Sequence, residues 1–216
     1  FFGILYFFIN SPEEIQAPPA PVQFTPLIFT EKSSFIEVDP TSEDPIYKSI
    51  LKEFDSSDVK KDGILAVYLT ENKKLVELSR FLKIIDADFA ISDPEIFSES
   101  FLIGMLKNET EYPFLLLKIK SFADVFNDLR LWEEKIFYDL HDFFKIKVDV
   151  SNNYLLTKDF EDGVVQNKNA RVLYSKDGVP VLMYVFIDDN SVVLSSSENV
   201  VKEIILRLDS AKIKNE

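Results

Sequence analysis

The chain has 216 residues, 46% hydrophobic and 28% charged, which suits one folded domain with a substantial core and excludes wholesale disorder. Its 24 Lys and Arg against 37 Asp and Glu give a formal charge of −13, a field that repels polyanions and so excludes nucleic acid and anionic lipid headgroups as expected partners. Cysteine is absent, which removes disulfides, thiolate metal sites and a cysteine nucleophile.

Residues 1–9, FFGILYFFI, carry no charge. A nine-residue helix covers about 13 Å and a bilayer needs about 20 apolar residues, so this run reads as the outer half of a transmembrane helix or signal anchor. An apolar strand packed on the domain is the alternative. Residues 10–26 hold Pro12, Pro18, Pro19, Pro21 and Pro26, which favours an extended, semi-rigid linker. Glu13 and Glu14 flank the apolar run and no Lys or Arg precedes Lys32, a flank that points outward by the positive-inside rule. Residues 27–216 are then an extracytoplasmic globular domain, with a second candidate boundary near 149–153.

Within that domain an apolar strand, a polar cap and an amphipathic helix recur four times. Residues 34–38 lead to Asp44-Pro45, an N-cap followed by proline at the first helical position, and the helix IYKSILKEF. Residues 64–69 lead through Thr70-Glu71-Asn72 to the helix KLVELSRFLKII. Residues 114–119 meet Ser121, with Asp124 three positions on as in a capping box, and open the longest helix. Its apolar stripe runs through Phe122, Val125, Phe126, Leu129, Trp132, Ile136, Leu140, Phe143 and Phe144, with Asp128, Arg130, Glu134, Lys135 and Asp139 on the other face. Residues 191–194 reach three serines and the helix NVVKEIILRL. Hairpins are expected at Asp177-Gly178, at Asp188-Asp189-Asn190 and around Asn108-Glu109-Thr110. Residues 181–187 are apolar throughout, as in a central strand covered on both faces. The expected class is α+β: a mainly antiparallel sheet with helices packed on it, built from split βαβ-like units.

Chemistry is sparse. Gly3, Gly63, Gly104, Gly163 and Gly178 are too scattered for a nucleotide-binding loop, and no GxSxG elbow occurs. The single histidine, His141, shares a helix with Glu134, Asp139 and Asp142, which allows an acid–base or metal cluster. Catalytic zinc takes three protein ligands, often several histidines, so a surface histidine at a helix C-terminus is the simpler reading. The acidic pairs Glu133-Glu134, Glu161-Asp162, Asp188-Asp189 and Asp86 with Asp88 could serve a glycosidase only across a cleft. Asp86-Ala87-Asp88 starts a calcium-loop spacing and loses it at Phe89. No cofactor, metal site or catalytic residue is assigned.

Three segments, IFTEKSSFIEV, PFLLLKIKSFADVFNDLRLWEEKIFYDL and FEDGVVQNKNARVLYSKDGVPVLMYVFIDDNSVVLSSS, together resemble a family of uncharacterised bacterial single-pass membrane proteins. The resemblance covers most of residues 27–208 and its marks, the Trp-Glu of the long helix and the NARVL hairpin, are structural. It implies an anchor, a proline-containing linker and an outer α+β domain, and carries no activity. The expected function is non-enzymatic protein binding or assembly at the cell envelope, with a membrane attachment and a protein partner. The alternatives are a cell-wall or glycan hydrolase using paired carboxylates, and a solute- or ion-binding module.

Overall fold

The computed structural model describes residues 24–89 and 96–213. The apolar run and all but the last three residues of the proline-rich segment lie outside them. Nine strands and four helices follow in the order β1 (Lys32–Glu37), α1 (Ile46–Asp55), β2 (Ile64–Glu71), β3 (Lys74–Leu75), α2 (Leu78–Ile84), β4 (Phe97–Lys107), β5 (Glu111–Ile119), α3 (Phe122–Leu140), β6 (Glu161–Val165), β7 (Lys168–Tyr174), β8 (Pro180–Asp188), β9 (Ser191–Ser195) and α4 (Glu198–Ile213). The class is α+β, with one mostly antiparallel sheet in the order β1-β2-β4-β5-β9-β8-β7-β6 and β3 paired to β2. Only β1 and β2 run parallel, joined through α1 as a βαβ unit. No helix among the described residues is long and apolar enough to cross a membrane.

Both faces of the sheet are buried, and the alternation along each strand assigns side chains to them. Leu65, Val67, Leu115, Leu117, Leu182, Tyr184, Val192 and Leu194 face a core shared with α1, α2 and α3. Their neighbours Ile64, Ala66, Phe114, Leu116, Met183, Val185 and Val193 face a second core covered by α4 through Val200, Val201, Ile204 and Leu208. Two-sided burial is why β8 reads as an unbroken apolar run. Gly104 pairs with Phe114 across β4 and β5, and the Phe114 ring lies over its Cα; a Cβ there would stand 2.2 Å from Phe114 Cζ.

Several local expectations are corrected. Residues 74–77 do not begin a helix: Asn72 and Lys73 both take left-handed φ, 53° and 64°, which closes a two-residue hairpin between β2 and β3. The helix therefore starts at Leu78 and is only seven residues long. The N-cap of α1 is Pro45, with ψ of 139°, and Asp44 instead binds Lys48 Nζ at 2.5 Å. Ser121 caps α3 by position, without a side-chain capping bond. The helix stops at Leu140, and Phe143 and Phe144 extend its buried stripe from the following turn. Asp128, expected on the polar face, is buried. A hairpin not foreseen joins β6 to β7 through Gln166 and Asn167, again both left-handed.

Buried polar groups pin α3 to the sheet. Glu133 accepts from Arg171 Nε and Nη2 at 2.8 Å each, and from the Tyr184 hydroxyl at 2.6 Å. Arg171 also reaches Asp162 at 2.8 Å and the Phe160 carbonyl at 2.5 Å. Burial, with the bond to Glu133 adding to it, pushes the Tyr184 hydroxyl far above its ordinary titration range. With Arg171 and Glu133 almost closed to solvent, removing Glu133 leaves the buried guanidinium with the exposed Asp162 as its only counter-charge. Glu133→Gln is expected to cost about 3–5 kcal/mol, read as a large drop in the urea midpoint at unchanged slope. A drop no larger than that of an exposed Glu134→Gln control would contradict the assignment.

Candidate functional site

A groove of about 680 Å³ opens where four pieces of backbone end together. Its walls are the loop after β1, the first turn of α1, the C-terminal end of α2 and the C-terminal end of α3. The C-termini of α2 and α3 contribute partial negative charge, opposed by the N-terminus of α1. Seven carboxylates line it: Glu37, Asp39, Glu43, Asp44, Asp86, Asp139 and Asp142. Arg80 is the arginine in the lining, and both its Nε and Nη2 are bound to Glu71, at 3.1 and 2.7 Å.

The acids divide by what holds them. Asp39 caps Thr41 through its amide at 2.8 Å and its hydroxyl at 2.7 Å, which keeps the carboxyl below its usual range. Glu37 accepts from the Thr70 hydroxyl at 2.6 Å and the Asn72 amide at 2.9 Å. These bonds shape the wall. Asp139 is different: burial raises its pKa, and the nearby Asp88 charge adds to this, against donation from Trp132 Nε1 at 2.6 Å and the Asp88 amide at 3.0 Å.

The structure brings Asp139, His141 and Asp142 to the same groove, as their spacing on one helix allows, and leaves Glu134 exposed outside the lining. His141 Nδ1 lies 3.1 Å from the Ile146 carbonyl and 3.3 Å from Asp142 Oδ1. Both neighbours of Nδ1 are acceptors, so Nδ1 is the ring nitrogen placed to donate. Asp142 also takes the Tyr47 hydroxyl, which burial and this bond push above its ordinary range. The Asp139 carboxyl turns to Trp132 rather than to His141, and among the described residues no three His, Asp or Glu gather to hold a metal ion.

The other acidic pairs are spread over the molecule. Glu133 and Asp162 hold Arg171, Glu161 stands 3.3 Å from Lys158, and Asp188 accepts the Asn190 amide in its turn. Asp86 takes a left-handed φ of 53° at the end of α2. Sequence reasoning found the histidine and its acidic neighbours and missed the opposite wall at 37–44, because nothing in spacing shows that the β1–α1 loop folds toward the end of α3. Comparison with known proteins finds no matching family model, no matching curated protein and no matching solved structure. Geometry therefore carries the reading of the groove.

Asp139 gives a pH test. A carboxyl whose folded pKa lies above its unfolded value near 3.8 contributes stability below that value and loses it as pH rises through the folded pKa. Asp139→Asn is expected to abolish this loss, so wild type should weaken relative to the variant across that window in a series of melts. Parallel stability curves from pH 3 upward would contradict it.

Proposed function

We propose that this chain is the outward-facing domain of a single-pass membrane protein and binds a basic segment of another envelope protein, with no chemistry of its own. The observation that carries the binding reading is the groove: a concave surface lined by seven carboxylates, with its arginine already committed to Glu71. Low-dielectric walls focus such a field and favour a cationic partner. Ile46, Tyr47, Ile84 and Ile85 add apolar surface between the charges, which suits the aliphatic stems of Lys and Arg. Membrane attachment is supported by the apolar run at 1–9, the prolines at 12–26 and the acidic flank.

A hydrolase is the second reading, and Asp139 favours it. Its carboxyl is held up by burial in the same groove as Asp142 and Asp39, as a general acid beside a second carboxylate would be. Its bonds to Trp132 and the Asp88 amide fit a structural role better. A solute- or ion-binding role would use the same groove, whose volume falls in the range of small-molecule sites.

Fluorescence anisotropy with labelled deca-lysine, against deca-glutamate as control, separates these readings. The binding reading expects deca-lysine alone to bind, about tenfold more weakly in 0.3 M than in 0.05 M salt, and more weakly again in Glu43→Gln with Asp86→Asn. Binding indifferent to both substitutions would overturn it. Turnover of a cell-wall glycan that disappears in Asp139→Asn would establish the hydrolase instead.

A further inference from the structure

Pairing of β2 with β4 stops at Val67↔Ile103, and pairing of β2 with β3 begins only at Thr70↔Leu75. On that edge of β2 the ladder is broken at Tyr68 and resumes at the Leu69 carbonyl, which accepts the Val76 amide at 2.9 Å, while β1 pairs both residues on the other edge; a notch of about 340 Å³ opens at the break. Phe24, Leu27, Leu75 and Phe101 give it apolar walls, and Glu77 and Glu99 add two carboxylates, one Glu99 oxygen already accepting the Ser79 amide at 3.0 Å. It shares no lining residue with the acidic groove.

Tyr68 is the unusual group in this notch. It is 8% exposed, and its ring packs with Phe24 and Phe35 at centroid distances of 4.4 and 5.4 Å. Its hydroxyl is buried and meets no hydrogen-bond partner among the described residues. A buried donor without an acceptor is costly, and such groups are uncommon in folded proteins. Burial also pushes the phenol up to about 12, so it remains a donor at neutral pH. The partner it lacks among the described residues is an acceptor oxygen.

We propose that the notch binds an extended segment of a partner protein. An apolar or prolyl side chain takes the place of the Phe24 ring, a backbone carbonyl accepts the Tyr68 hydroxyl, and a Lys or Arg meets Glu77 and Glu99. An extended chain offers a carbonyl at every residue and side chains on alternate sides, so one segment meets all three demands. Phe24 is only partly buried and packs on the second core against Phe35 and Tyr68, so displacing its ring moves one half-exposed side chain and bares the Tyr68 ring to the incoming segment.

The test is an octapeptide array probed with the full chain, followed by titration of selected peptides. Bound peptides are expected to pair a Lys or Arg with a nearby apolar or prolyl residue. Tyr68→Phe should bind them about fivefold more weakly, the worth of one hydrogen bond. Glu77→Gln should weaken them further and reduce the salt dependence. The unliganded Tyr68→Phe chain should melt no lower than wild type, because the hydroxyl it loses has no partner. The proposal is overturned if no peptide binds above background or if selected peptides bind Tyr68→Phe as tightly as wild type. A clear drop in the melting temperature of unliganded Tyr68→Phe, or concentration-dependent dimers lost with Tyr68→Phe, would overturn it too.

Discussion

The structure depends on the pairing of β5 with β9. These strands lie 70 or more residues apart in sequence, and they meet through Leu115↔Leu194, Leu116↔Val193 and Leu117↔Val192. On one side of that ladder stand β1 to β4, on the other β6 to β8. Without it there would be two small sheets, each with an exposed apolar edge. With it there is one sheet in which Leu115, Leu117 and Leu194 face α3 and Phe114, Leu116 and Val193 face α4. Burying an aliphatic side chain of this kind contributes about 1.5–3 kcal/mol. The ladder therefore ties both cores to one event.

Apolar burial alone would let the helices slide over the sheet, and ion pairs set their positions. Glu133 and Arg171 lock the middle of α3 to β7, and Tyr184 adds a third point from β8. Lys145, just after α3, binds Asp55 at the end of α1 and Glu111 at the start of β5, at 2.6 and 2.8 Å. On the opposite face Arg207 of α4 holds Glu31 and the Phe29 carbonyl, and Glu31 in turn accepts the Ile64 amide. Such pairs add less net stability than geometry, since desolvation offsets much of their attraction. For the groove the consequence is its α3 wall, because Glu133 and Lys145 hold α3 and the segment after it against the sheet and α1.

How far these features could be read from residues alone follows from their range. Asp177-Gly178 and Asp188-Asp189-Asn190 mark their hairpins by local turn chemistry, and the 3.6-residue period marks α3. The Asn72-Lys73 and Gln166-Asn167 turns use the same left-handed geometry without a glycine, so the signal was weaker and both hairpins were missed. Helical periodicity in 74–85 was genuine only from Leu78, where side chains meet the core. Asp128 looked like a surface residue because its burial depends on tertiary packing that period cannot express. Half of the acidic groove was legible as a cluster around His141; its other wall, and the notch at Tyr68, exist only because distant strands converge or part.

That one sheet unites the chain is the claim on which the groove, the notch and the buried ion pairs all rest. Amide hydrogen exchange of the full chain tests it most directly. Amides of 115–117 and 192–194 should exchange last, with equal protection, and the slowest amides of β2 and β8 should share the same opening free energy. If the strands β6 to β9 opened together at a lower free energy than β1 to β5, residues 149–153 would be a domain seam and the single-sheet account would be contradicted.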